Sequence, residues 1–225
     1  MHIPAPADTE ELRRRALWLS GRTLAEIAAA LAEAMPVTGL RGKGKVGNLL
    51  ERALGASAGS AAGPDFPELG VELKTIPVDQ SGAPRESTFI CSIGLTGADA
   101  AEWLTSVARA KLAHVLFIPV QGERDAPAGS WRVGSPCLWR PTARQEAVLR
   151  ADFEDAMGLI GAGAVESLSA RRGRWLQVRP KAATGGTRTL AFGPDGERIA
   201  TVPRGFYLRA GFTRELLRDP TSEPL

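Results

Sequence analysis

The sequence predicts an α/β fold in which a central sheet is flanked by helices. Two observations predict it: apolar residues at helical spacing near the N-terminus, and then three apolar, β-branched runs that read as strands. Residues 9–19 and 23–35 carry the helical pattern, with Thr9 and Thr23 as N-caps. Thr23-Leu24-Ala25-Glu26 has the form of a capping box, where a hydroxyl and a carboxylate satisfy helix-start amides reciprocally. Pro36, which lacks an amide hydrogen, ends the second helix. After a Gly- and Lys-rich link over 39–44, Leu49, Leu50, Ala53 and Leu54 form the stripe of a third helix that carries Glu51, and residues 55–63 form a small-residue loop.

The three strands are Val71 to Ile76, Ser87 to Leu95 and Val115 to Val120, the first two separated by the turn signal Asp79-Gln80-Ser81-Gly82. Together they suggest the central sheet. A polar loop over 122–136 leads to a helix from Thr142 to Ile160, whose core contacts include Val148, Phe153, Met157 and Ile160. Short strands at Trp175 to Arg179 and Phe206 to Arg209 alternate with Gly-rich turns, and a final helix spans Thr213 to Leu217.

A length of 225 residues suits one sizeable core, so a single domain over 1–225 is expected. The net charge of +3 does not by itself announce a nucleic-acid partner, but its distribution is uneven. From Ala164 to Gly211, nine Lys and Arg face only three acidic residues, a stretch able to lie along a phosphate backbone. With only His2 and His114, a histidine-rich zinc site or a Ser-His-Asp triad is hard to assemble. Cys91 and Cys137 stand far apart and read as buried, reduced thiols. The apolar helix from Leu24 to Met35 contains Glu26 and Glu33 and is too short to span a bilayer, which makes a cytoplasmic protein without a membrane partner the expectation.

Chemistry concentrates in Pro64-Asp65-Phe66-Pro67-Glu68-Leu69-Gly70-Val71-Glu72-Leu73-Lys74. Alternate side chains of a strand share a face, so Glu72 and Lys74 point together while Val71 and Leu73 enter the opposite layer. Asp65 joins them from the preceding loop. Phosphodiester hydrolysis needs such a set: carboxylates for a hard divalent cation, and an ammonium beside the attacking water and the developing phosphorane. Glu51 supplies a further carboxylate for a second metal position. By itself Glu-x-Lys is common on solvated strand faces, but with Asp65 the segment reads as the PD-(D/E)xK nuclease signature.

Further strings stand in order around it: Lys43-Gly44 before Glu51, Leu54-Gly55-Ala56-Ser57-Ala58-Gly59-Ser60, Gly70-Val71-Glu72-Leu73-Lys74-Thr75-Ile76-Pro77-Val78, Arg132-Val133-Gly134-Ser135-Pro136, Arg179-Pro180-Lys181-Ala182-Ala183 and Pro203-Arg204-Gly205-Phe206-Tyr207-Leu208. In these the chain resembles the MutH mismatch-repair endonucleases over nearly its whole length. The resemblance implies a restriction-endonuclease-like fold with a mixed central sheet. Two lobes would form a DNA-binding cleft, the N-terminal one catalytic and the C-terminal one, from about residue 164, recognising DNA. It also implies dependence on one or two Mg²⁺ ions, nicking of the unmethylated strand 5′ to the G of hemimethylated GATC, activation by MutL with MutS acting indirectly, and a monomer when free.

Residue by residue, the resemblance implies that Asp65, Glu72 and the Leu73 carbonyl hold the metal, that Lys74 is the catalytic lysine, and that Glu51 is the additional active-site carboxylate. Lys111 matches a lysine important for activity. Lys43, Arg179, Pro180, Lys181 and Tyr207 match DNA-contacting positions, with Tyr207 near the adenine whose N6 methylation changes the major-groove edge. The polar tail from Asp219 to Leu225 and the Gly- and Thr-rich connection from Thr184 to Glu197 depart from the family pattern. Two other functions compete: a GATC restriction endonuclease cutting both strands, and a non-catalytic DNA-binding repair module.

Overall fold

The computed structural model describes residues 3–33, 43–58, 63–97, 102–123, 125–181 and 186–221, with the side chain of Lys43 outside the description. In chain order the helices are α1 (Thr9–Leu19), α2 (Leu24–Ala30), α3 (Lys43–Leu54), α4 (Val107–Leu112), α5 (Ala143–Gly161) and α6 (Ala210–Arg218). The strands are β1 (Glu72–Val78), β2 (Thr88–Ser92), β3 (Val115–Gln121), β4 (Arg132–Val133), β5 (Cys137–Trp139), β6 (Leu176–Pro180), β7 (Thr189–Phe192), β8 (Arg198–Thr201) and β9 (Arg204–Leu208). They form a mixed α/β fold of the restriction-endonuclease-like kind. The chain divides into two compact units, residues 1–86, 113–140 and 214–222 forming one and residues 87–112, 141–213 and 223–225 the other.

In the first unit β1 runs parallel to β3, from Glu72 opposite Val115 to Val78 opposite Gln121, and β3 pairs antiparallel with β4 and β5. The first six residues of β3 are buried, which explains its unbroken apolar run: a central strand covered on both faces has no solvent side to alternate with. Leu12, Leu19, Leu24, Ile27, Leu49, Leu50 and Leu54 from α1 to α3 pack with Leu73, Leu116 and Ile118 of the sheet into one core. The Thr23–Glu26 capping box starts α2 as expected. The α1 cap differs: Asp8, not Thr9, accepts the Glu11 amide at 2.7 Å, because the carboxylate stands one residue earlier and three residues from that donor. Helix α2 stops at Ala30, before the expected end, and Ala32 adopts φ 57; Pro36 lies outside the described residues.

In the second unit β2, β9 and β6 form an antiparallel sheet, and β7 with β8 makes a separate hairpin. The second strand expected from the sequence therefore does not join β1 and β3. Its alternation fixed a strand but not a partner, and β9, from the far end of the chain, takes it. Helix α5 begins with a Thr142–Gln145 capping box and buries Leu149, Phe153, Ala156, Met157 and Ile160; Val148 lies only at the margin, and the adjacent Leu149 takes its place in the core. Phe153 contacts Trp103 edge-on and Phe206 at 5.3 Å between centroids. Asp152 accepts the amides of Arg174, Trp175 and Leu176 at 2.6 to 2.8 Å, which anchors the entry to β6. Cys91 and Cys137 are buried thiols outside any disulfide, as expected. Among the described residues no helix is long and apolar enough to cross a membrane.

Candidate functional site

The site is built on the edge of β1. In a parallel pair only alternate residues bond the neighbouring strand. The Glu72 amide donates to the His114 carbonyl at 2.9 Å, so residues 72, 74 and 76 face β3, while the amide and carbonyl of Leu73 point off the other edge. No further ladder strand occupies that edge among the described residues.

Asp65 reaches the edge because the chain doubles back. Phe66 and Val71 exchange backbone hydrogen bonds of 2.9 and 3.2 Å around a 3-10 turn at Pro67–Leu69, closed by Gly70 at φ 62, a conformation that costs glycine little. Oδ2 of Asp65 then accepts the Leu73 amide at 2.7 Å. The Asp65 carbonyl accepts from the amides of Ser57 and Ala58 just after α3, tying the turn to that helix. A Cβ added at Gly47 of α3 would lie 3.6 Å from Oγ1 of Thr75 and 3.7 Å from Oε1 of Glu51, so the helix face bearing Glu51 lies close against β1.

Glu72 is 2% exposed, and Nζ of Lys74 donates to its Oε1 at 2.7 Å. Burial, and after it the charges of Asp65 and Glu72, push the Glu51 carboxyl above the ordinary carboxylate range, with Lys74 and Arg52 opposing. The structure thus gathers Glu51, Asp65, Glu72 and Lys74 in the first unit. Among the described residues no three His, Cys, Asp or Glu side chains close into a ready-made metal cage. The donors gathered here, carboxylate oxygens and a strand-edge carbonyl, are the hard type that suits Mg²⁺. A carboxyl whose charge is disfavoured by its neighbours is one that an added cation would relieve.

The remaining sequence-derived residues lie in the second unit, except Lys43 at the start of α3. Lys111 sits half-buried in the last turn of α4. Arg179 and Pro180 end β6 opposite Gly205 and Arg204, and Lys181 follows, its amide donating to the Pro203 carbonyl at 2.7 Å. Tyr207, half-buried on β9, meets Phe89 edge-on at 5.3 Å; Lys181 lies 4.3 Å from the Phe89 ring and Arg179 lies 5.9 Å from the Tyr207 ring. Two cations and two aromatic rings therefore share one sheet face, a combination suited to nucleic acid. Sequence reasoning missed Phe89, whose only signal was its place in a strand, and Gly205, where a Cβ would come within 2.9 Å of Phe89 Cε2 and 3.0 Å of the Cys91 carbonyl oxygen.

This α/β architecture, with carboxylates and a lysine at the start of an edge strand, defines a protein of the restriction-endonuclease-like class. A family described as DNA mismatch repair enzyme MutH matches residues 54–152. The chain is 50% identical over 214 residues to the DNA mismatch repair protein MutH of Serratia proteamaculans (strain 568), covering 95% of this chain and 94% of the relative. It is 50% identical over 217 residues to that of Pectobacterium atrosepticum, covering 96% and 94%. With the MutH of Escherichia coli (strain K12) it shares 52% identity over 214 residues, covering 95% and 93%. The chain belongs to the MutH family of DNA mismatch repair enzymes.

Proposed function

We propose that the chain is a Mg²⁺-dependent endonuclease of methyl-directed mismatch repair that nicks the unmethylated strand 5′ to the G of hemimethylated GATC and is activated by MutL, with MutS acting through MutL. The observation that carries this reading is the convergence of Asp65, Glu72, Lys74 and Glu51 at an open strand edge.

In this reading Asp65, Glu72 and the Leu73 carbonyl hold the cation, and Glu51 adds a carboxylate for a second position. When bound, the ion supplies a Lewis acid for the scissile phosphate and favours hydroxide over water. The protein's own groups do the rest. The Leu73 amide fixes the orientation of the Asp65 carboxylate, and Glu72 holds the Lys74 ammonium where negative charge develops on the phosphorane. Glu51, with its raised proton affinity, holds a proton at its carboxyl more readily than an ordinary glutamate. Lys111 supports activity. Arg179, Pro180 and Lys181 read the GATC bases, Lys43 contacts DNA, and Tyr207 senses the adenine. The free protein is a monomer in the cytoplasm, and its substrate is double-stranded DNA with GATC sites.

The test is cleavage of a hemimethylated GATC duplex with Mg²⁺, with and without MutL, mapped to each strand. Cuts confined to the unmethylated strand and stimulated by MutL are expected. Equal autonomous cutting of both strands of unmethylated DNA would point to restriction, and no Mg²⁺-stimulated cleavage under any partner condition would point to a binding module.

A further inference from the structure

The guanidinium of Arg179 is held on two sides. Nη1 donates to Oγ of Ser87 at 2.7 Å, and the group lies 5.9 Å from the Tyr207 ring centroid. Ser87 stands immediately before β2, whose first residue Thr88 pairs opposite Leu208 of β9 and is 8% exposed, so the hydroxyl is anchored by the paired residue that follows it.

The chemistry of the acceptor matters. A carboxylate in the place of Ser87 would take the guanidinium bidentately and cancel its charge. A hydroxyl accepts one N–H, fixes the plane of the group, and leaves both the positive charge and the remaining donors for a ligand. Reading a guanine edge requires that combination, because O6 and N7 accept two parallel N–H groups only from a guanidinium in their plane.

We propose that Ser87 is a positioning residue for sequence specificity: its hydroxyl holds the plane of Arg179 so that the guanidinium meets a guanine edge with two donors. The proposal rests on the base-reading role given to Arg179 above. A serine that merely supported the fold would alter affinity for all duplexes alike, whereas one that orients Arg179 alters the ratio between them.

The experiment measures binding of the full chain by fluorescence anisotropy, in chelator, to a GATC duplex and to a duplex with that guanine replaced. It compares wild type with Ser87→Thr, Ser87→Ala and Ser87→Val across a salt series. Thr and Val are close in shape and differ in the hydroxyl. Wild type and Ser87→Thr are expected to keep the preference for GATC, while Ala and Val lose about tenfold of it at an unchanged salt slope, since phosphate contacts remain. A wild-type preference that survives intact in Ala and Val, an equal loss on both duplexes, or a loss in Thr as large as in Val overturns the proposal alone. A wild-type chain with no preference overturns the base-reading role itself, and this proposal with it.

Discussion

Nζ of Lys74 donates to Oε1 of Glu72 at 2.7 Å, between side chains that are 17% and 3% exposed, two positions apart on one strand face. The hydrogen bond joins the ammonium to a buried carboxylate and holds it in one orientation. Lys74→Met keeps the length of the stem and removes the charge. It is expected to slow single-turnover nicking by about 10²- to 10³-fold, the scale of losing one charge-stabilising donor, with DNA affinity retained. Nicking within a factor of a few of wild type would count against the role given to Lys74.

Glu51 predicts a pH dependence. Burial first, then the charges of Asp65 and Glu72, raise its carboxyl from the ordinary 4.5. The folded chain therefore holds this proton more tightly than the unfolded chain. Its contribution to stability is complete below pH 4.5 and is lost as pH rises through the raised folded value. Glu51→Gln, neutral throughout, is expected to melt above wild type at neutral pH in chelator, with the difference shrinking toward the acid end. Parallel melting curves for the two proteins across that range would show that Glu51 carries no such cost.

A cation held by Asp65 and Glu72, as proposed, would stabilise the folded chain by mass action, by about 2.7 kcal/mol with Mg²⁺ at roughly a hundred times its Kd. Thermal melts with added Mg²⁺ should therefore rise for wild type and rise much less for Asp65→Asn and Glu72→Gln. The readout is independent of nicking and of MutL. Equal Mg²⁺-induced shifts in all three proteins would place the ion elsewhere.

Gly205→Ala drives a methyl group against Phe89 Cε2 at 2.9 Å and the Cys91 carbonyl oxygen at 3.0 Å, with Tyr207 Cε2 at 3.4 Å. The overpacking is expected to cost about 1–3 kcal/mol by denaturant melts. The Phe89–Tyr207 pair would shift with it, so DNA affinity should fall alongside. An unaltered melt together with unaltered binding would mean that the strands part easily at this point.

Strand β1 and the shared face of its acidic and basic residues were legible because their signals are local. Alternation put Glu72 and Lys74 on one face, and Pro64-Asp65 sits close enough to turn back on it. The Asp65 contact itself, to the Leu73 amide, depends on Gly70 closing the turn, which residue identity permits but does not dictate. The partner of β2 was not legible, since Thr88 and Leu208 are brought opposite each other by long-range pairing that no periodicity encodes. For the same reason Ser87 and Arg179, distant in sequence, gave no sign of their hydrogen bond. The short helix at Val107–Leu112 also escaped notice, being less than two turns long.

The open side of β1 carries a hazard as well as a use. An unpaired strand margin is a template on which a second molecule can add its own backbone, the first step toward aggregation. Here Pro77 has no hydrogen to offer on that margin, its carbonyl is taken by the Arg85 amide at 2.9 Å, and the Leu73 amide is taken by Asp65. A chain that exposes a strand to admit a ligand must also refuse other strands, and in this protein the aspartate that prepares the one opposes the other.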